Sequence, residues 1–235
     1  MKVVSKTRAK RREKTIGRIV EAALDIVNAE GFEALTMKRL ADELGYAPGA
    51  FYRYFASKDE LLLAVQRRVL EALAEDVAEA EGRARTYLAR SSASAEVASL
   101  VPVLVAMRTY ATMNERRPAH WQLLARWLGN PEPMVATEAA APMLAGLVQL
   151  FLAIPRLFEE AVEAGALAPG DAQRRSFVLW TALQGALQAN KLDRFGVEAL
   201  AQAPLMDELC RALFAGWGAS EDVFADAWRR AKKVS

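Results

Sequence analysis

Apolar residues recur along this chain at the three- and four-residue spacing of a helix face, and almost nowhere alternate as a strand requires. Ile16, Val20, Ala23 and Val27 make one such face and predict a helix over residues 12–29. Gly31 follows, where a left-handed C-cap is wanted. Thr36 reads as the N-cap of a short helix, 37–44, which Gly45 ends. Pro48 suits the first turn of a second short helix that reaches Phe55. Ser57-Lys58-Asp59-Glu60 has the form of a capping box, and Leu61, Leu62, Leu63 and Val65 follow it, so a long helix is expected over 58–80. Gly82 and the Ser91-Ser92-Ala93-Ser94 stretch interrupt what comes next. Further helices are expected over 96–115, 119–128, 134–164, 171–192, 197–215 and 220–233, parted by Pro- and Gly-containing breaks. The last has Glu221 and Asp222 in its first turn and Arg229, Arg230, Lys232 and Lys233 at its end, an order that suits the helix dipole. The fold class is therefore all-α.

Composition narrows the chemistry. The chain has 235 residues, 53% hydrophobic and 26% charged, which is an ordinary globular balance. Its one Cys cannot form an internal disulfide, and one His with one Cys cannot build a His- or Cys-rich zinc site. A Ser-His-Asp triad would have to use His120, and no nucleophile-elbow motif stands near a serine. No catalytic residue, metal site or cofactor is assigned on these grounds, and a reducing, cytoplasmic setting fits. The longest uncharged run, residues 139–155, has 17 residues against the ~20 needed to span a bilayer. Pro142 and Gln149 interrupt it, so it reads as a buried helix and not a membrane span.

The net charge of +2 hides two unlike parts. Residues 1–58 hold 12 Lys and Arg against 7 Asp and Glu; the remainder holds 19 against 22. Lys2, Lys6, Arg8, Lys10, Arg11, Arg12, Lys14 and Arg18 stand against Glu13 alone at the start. A basic arm over 1–14 points to a polyanionic partner; a solvated tail is the plainer alternative.

Two short helices joined by a tight turn, between two longer ones, are the pattern of a helix-turn-helix; a plain helical hairpin is the alternative. Leu40, Ala41 and Leu44 face inward on the first, and small Ala41 lets the second cross closely. Phe51 and Phe55, one turn apart, can plug the core. The run from Thr36 to Leu61, above all Tyr52-Arg53-Tyr54-Phe55-Ala56-Ser57-Lys58-Asp59-Glu60-Leu61, resembles the tetracycline-repressor (TetR) family of bacterial regulators over residues 15–65.

That resemblance implies a three-helix DNA-binding domain at 15–60 and a helical domain at 61–235 for effector binding and dimerisation. Thr36 and Tyr52 match positions that contact phosphate, and a hydroxyl can donate to an oxyanion. Lys58 opens a helix whose N-terminus attracts the same charge. Lys38 matches a position that reaches a base edge, where a cation suits guanine. Ala47, Pro48, Gly49 and Ala50 match the start of the recognition helix. Ser or Thr is frequent in the family at Ala47 and Ala50, so contact with thymine methyls and DNA shape must carry more of the readout here. Tyr54 stands where His is common, and either touches phosphate or packs the domain.

Past residue 70 the family diverges, and only its architecture carries over. Its members pair through their last two main helices. Ala182, Gly185, Ala186 and Ala189 make a small-residue strip for one partner helix, and Leu205, Leu209, Ala212 and Leu213 supply the second, with Cys210 a buried thiol beside them. An ordinary intrachain core is the alternative. The candidate effector lining is Met107, Tyr110, Met113, Trp121, Trp127, Met143, Phe151, Phe158 and Trp180, with polar groups at His120, Gln149, Thr181, Gln184 and Asn190. The expected function is a homodimeric repressor on a palindromic double-stranded DNA operator, released by a small hydrophobic or amphipathic effector. An activator or a ligand-independent regulator is the runner-up, and a helical-bundle enzyme the remote alternative.

Overall fold

A computed structural model describes residues 2–129, 153–189, 195–196 and 201–234. Every regular element among them is helical. In chain order these are α1 (Lys2–Glu30), a 3-10 turn (Phe32–Ala34), α2 (Met37–Glu43), α3 (Pro48–Phe51), α4 (Lys58–Leu88), α5 (Ala95–Ala111), α6 (Met113–Arg116) and α7 (Pro118–Gly129). Then come α8 (residues 153–163), α9 (Ala172–Ala189), α10 (Gln202–Gly216) and α11 (Glu221–Val234).

The described residues form two compact units: those within 1–71 and 113–146 make the first, and those within 72–112 and 147–235 the second. The first therefore takes in α6 and α7 as well as the N-terminal helices, and α4 contributes to both. Most of the run at 139–155 lies outside the described residues. No helix among those described is long and apolar enough to cross a membrane.

In the first unit, α1 turns Ile19, Val20, Ala23, Leu24, Ile26 and Val27 inward. They meet a core to which α2 brings Leu40 and Ala41, α3 brings Phe51, and the opening turns of α4 bring Leu61, Leu62 and Val65. The helix begins far earlier than the apolar periodicity alone predicts. Residues 2–11 carry no apolar stripe, yet they continue α1, so the expected arm is helical. Thr15 Oγ1 donates to the Arg11 carbonyl at 3.0 Å within this stretch.

In the second unit, α5 is buried almost all round, from Val97 through Tyr110. A helix apolar on every side belongs at the centre of its domain. α11 packs along it with Phe224, Ala227, Trp228 and Ala231. Phe158, Phe214 and Trp217 touch one another, and Phe224 and then Trp228 continue the cluster from Phe214, with neighbouring centroids 5.4–6.1 Å apart.

Gly82 does not break α4, contrary to expectation. A glycine inside a helix costs about 1 kcal/mol against alanine. Here the ion pairs Glu79–Arg83 (2.9 Å) and Glu81–Arg85 (2.8 Å) straddle it, and buried Ala80 and Ala84 hold the turn against the core.

Glu81 and Arg85 of α4 also form a closed square of alternating charge with Arg156 and Glu160 of α8. Arg156 pairs with Glu81 at 2.7 Å, Arg85 with Glu160 at 2.8 Å, and Arg156 with Glu160. Burial acts to raise the Glu81 carboxyl, but hydrogen bonds from Arg156 and Arg85 outweigh it and hold the group below the usual carboxylate range. A carboxylate depressed by folding adds stability above its unfolded value and loses it as pH falls through its folded value. Glu81→Gln is therefore expected to lose less stability than wild type as pH falls from neutrality through and below the ordinary carboxylate range. Urea midpoints across that range check this; equal losses would show that the square adds nothing.

Candidate nucleic-acid interface and candidate effector cavity

The helix pair is built by local rules. The Thr36 hydroxyl oxygen accepts from the Arg39 N–H at 3.0 Å and caps α2. Gly45 ends it with φ +68°, a value that favours glycine. Around it the Tyr46 N–H donates to the Ala41 carbonyl at 2.9 Å and the Gly45 N–H to the Asp42 carbonyl at 3.2 Å, the two bonds of a Schellman motif. Pro48 then opens α3. This helix stops at Phe51 rather than Phe55, because the chain tightens: the Tyr54 N–H donates to the Phe51 carbonyl, three residues back, at 2.9 Å. Phe55 is buried all the same, with its ring 6.5 Å from that of Phe51.

The capping box forms as the sequence expects. The Glu60 N–H donates to Ser57 Oγ at 3.2 Å, and Glu60 Oε2 accepts in return from the Ala56 N–H at 2.8 Å. This fixes the first turn of α4 and the place of Lys58.

The side chains divide by role. Arg39 is committed inside the unit, paired with Glu30 at 2.6 Å and Glu43 at 2.7 Å; the hydrogen bonds it donates to those carboxylates raise its already high pKa further. Lys38, its neighbour, is exposed, and among the described residues no partner engages it. Thr36, Ala47, Gly49, Tyr52 and Lys58 are exposed, and Ala50 is half-buried. Tyr52 is a large aromatic side chain left 54% exposed. Lys58 Nζ lies 5.5 Å from the centre of the Phe32 ring. Tyr54 is half-buried against Tyr46 at 5.8 Å, and its carbonyl accepts from Arg12 of α1 at 3.4 Å. Of the two roles open to it, packing is the one on view. Arg12 is a contribution that the sequence alone did not suggest.

The second unit holds a half-open apolar cavity of about 70 Å³, lined by Leu73 and Val77 of α4, Val103, Ala106, Met107 and Tyr110 of α5, Ile154 of α8, and Ser176, Leu179, Trp180 and Leu183 of α9. Of the expected effector residues, it gathers Met107, Tyr110 and Trp180. Gln184 adjoins them, because its Oε1 accepts from the Tyr110 hydroxyl. Met113, His120, Trp121 and Trp127 belong instead to α6 and α7 of the first unit and line no part of this cavity. Their aromatic and thioether character marked them, but the packing of α7 on α1 takes them elsewhere. Phe158 is aromatic core, and Thr181 is exposed on α9. Met143, Gln149, Phe151 and Asn190 lie outside the described residues. The missed lining residues are mostly aliphatic, and nothing in sequence separates them from plain core.

The small-residue strip of α9 is split. Ala186 is buried within the chain, Ala182 is half-buried and Gly185 exposed; Ala189 closes the helix. The solvent face of α9 is turned by about one position and carries Phe177 (41% exposed), Val178 (40%), Thr181 and Gly185. On the neighbouring α10, Leu205, Leu209 and Leu213 are half-buried and Ala212 is exposed. Cys210 is fully buried, its thiol pushed up to about 12, chiefly by that burial, and it donates to Met107 Sδ at 2.9 Å.

Comparison with known proteins matches residues 19–65 to the bacterial regulatory proteins, tetR family. The HTH-type transcriptional repressor DrrR1 of Streptomyces coeruleorubidus is 52% identical over 48 residues, 20% of this chain and 18% of that protein. An uncharacterized HTH-type transcriptional regulator of Mycobacterium tuberculosis is 32% identical over 149 residues, 62% of each chain. The chain thus spans between about a fifth and three fifths of these relatives' lengths. Among solved structures, the triclosan complex of SmeT, a repressor from Stenotrophomonas maltophilia, superposes with a TM-score of 0.60 at 17% identity. That match covers 90% of this chain and 94% of the other, and at such low identity it speaks for the fold.

Proposed function

We propose that this chain, whose residues 19–65 match the tetR family of bacterial regulatory proteins, is a homodimeric, DNA-binding transcriptional repressor acting in the cytoplasm. The observation that carries this reading is the capped helix pair α2–α3. Arg39 is held by Glu43 of α2 and Glu30 of α1, while Lys38, Tyr52 and Lys58 stay exposed. Lys58 and Tyr52 hold phosphates, Lys38 reads a base edge, and α3 offers Ala47, Gly49 and Ala50 for close apolar approach. The basic residues that open α1 add phosphate contacts as a helix and not as a loose arm.

Val178, Thr181 and Gly185 of α9, with Leu205, Leu209, Leu213 and Ala212 of α10, form the dimer face. Apolar and small groups half in solvent on two adjacent helices support that assignment. Dimerisation sets two recognition helices about one turn of DNA apart on a palindrome. The cavity between α4, α5, α8 and α9 is the effector site. SmeT, of the same fold, is known bound to triclosan, and a compact apolar effector suits this lining too. Because α4 both lines the cavity and begins at Lys58, an effector that shifts α4 moves a phosphate anchor. Couplings of ~1–3 kcal/mol suffice for such a switch.

Footprinting on the DNA upstream of the chain's own gene tests the dimeric reading. Two protected half-sites related by a two-fold axis, about one helical turn apart, are expected. A single unsymmetrical footprint would contradict it.

A further inference from the structure

One aromatic ring in the first unit carries two cations. Lys58 Nζ lies over the Phe32 ring, 5.5 Å from its centre, and the Arg126 guanidinium of α7 lies over it at 4.5 Å. The chain builds this seat by local rules. Gly31, at φ +84°, turns the chain out of α1, and the Leu35 N–H donates to the Phe32 carbonyl at 3.1 Å. Leu35 is fully buried, so the turn is pinned to the core while the Phe32 ring stays half-buried near the surface. Thr36, the cap of α2, follows at once.

The two cations are not equivalent. Arg126 is answered by Glu33, the next residue of the turn, at 2.7 Å. A planar guanidinium suits a ring face, and the pair of contacts ties α7 to the turn. Lys58 has no ion pair among the described residues. A carboxylate would neutralise its ammonium and would have to release it to a phosphate. An aromatic face holds a cation through its quadrupole and leaves the charge whole. A lysine side chain also loses much rotamer freedom when a contact fixes it. A ring that orders it beforehand lowers that cost at binding.

We propose that Phe32 is a positioning residue for DNA binding: its ring orders the Lys58 ammonium ahead of the phosphate, and Arg126, paired with Glu33, holds the ring. The inference rests on the reading of the chain as a DNA-binding regulator that anchors phosphate at Lys58.

Anisotropy titrations of the full chain on a labelled duplex from the region upstream of its own gene test it. Phe32→Leu, which keeps an apolar group without a π face, is expected to weaken binding about two- to fivefold. Its salt slope is expected to match wild type, because the phosphate contact itself survives. Phe32→Tyr, which keeps the face, is expected to bind as wild type. In a Lys58→Ala background, Phe32→Leu is expected to add no loss, since nothing remains for the ring to order. Arg126→Gln is expected to follow Phe32→Leu at smaller size, again with the wild-type slope. Should Phe32→Leu fail to fold, Phe32→Met is read in its place. Equal losses from Phe32→Leu with and without Lys58, a loss in Phe32→Tyr as large as in Phe32→Leu, or no loss in Phe32→Leu would overturn the role of the ring. A slope lower by ~1 in Arg126→Gln would show that the arginine meets phosphate itself, and would overturn its role as holder. If the wild-type chain does not bind, or Lys58→Ala binds as wild type, the functional reading beneath the inference falls instead.

Discussion

Lys58→Ala is expected to weaken binding to every DNA sequence by the same factor, about tenfold or more, and to lower the salt slope by ~1. The exposed ammonium stands at the first residue of α4, where the Ser57–Glu60 capping box fixes the backbone. A phosphate there meets both a cation and the positive end of a 31-residue helix. A contact to phosphate carries no sequence information, so matched and mismatched operators lose alike. Lys38→Ala is expected to behave otherwise: its loss falls on one base position, and preference there relaxes by the ~1–3 kcal/mol that a good base contact supplies. Anisotropy titrations of both variants against an operator and its single-base changes check the contrast. Two variants with the same profile would mean that these roles are wrongly divided between the lysines.

Phe51→Ala is expected to destabilise the N-terminal unit by about 3–5 kcal/mol. Phe51 is 1% exposed and is flanked by Tyr46 at 6.2 Å and Phe55 at 6.5 Å. α3 has only four residues and cannot hold itself by its own hydrogen bonds. Its position depends on this one plug and on the turn at Gly45. Chemical denaturation followed by circular dichroism measures the loss, and DNA binding should fail before the whole chain unfolds. A cost below about 1 kcal/mol would show that other contacts place α3.

The part of the molecule legible in sequence is the part fixed by short-range chemistry. Thr36, Gly45, Pro48 and Ser57 each act on neighbours within a few residues, and the structure has α2, α3 and α4 beginning where they stand. The expected boundaries failed where distant packing decides. Gly82 gave a local signal to stop, but ion pairs and a buried alanine face carried α4 past it. Phe55 carried a helical spacing, but the chain tightened before reaching it. Trp121 and Trp127 have the composition of a pocket and sit on a helix that packs with α1. Val103, Leu179 and Leu183 do line the cavity, yet each reads as plain core, because an aliphatic residue facing a void and one facing a neighbour have the same pattern. Gln184 is intermediate: a polar residue on an apolar face drew attention in sequence, while the bond from Tyr110 needed coordinates.

The central claim is that the chain binds DNA through α2, α3 and the start of α4. Anisotropy of a labelled duplex from the region upstream of its own gene, titrated with the full chain from about 50 mM to about 200 mM salt, tests it most directly. The account predicts saturable binding that weakens steeply, along a straight line of log affinity against log salt. No binding at about 50 mM salt, or an affinity indifferent to salt, would contradict it.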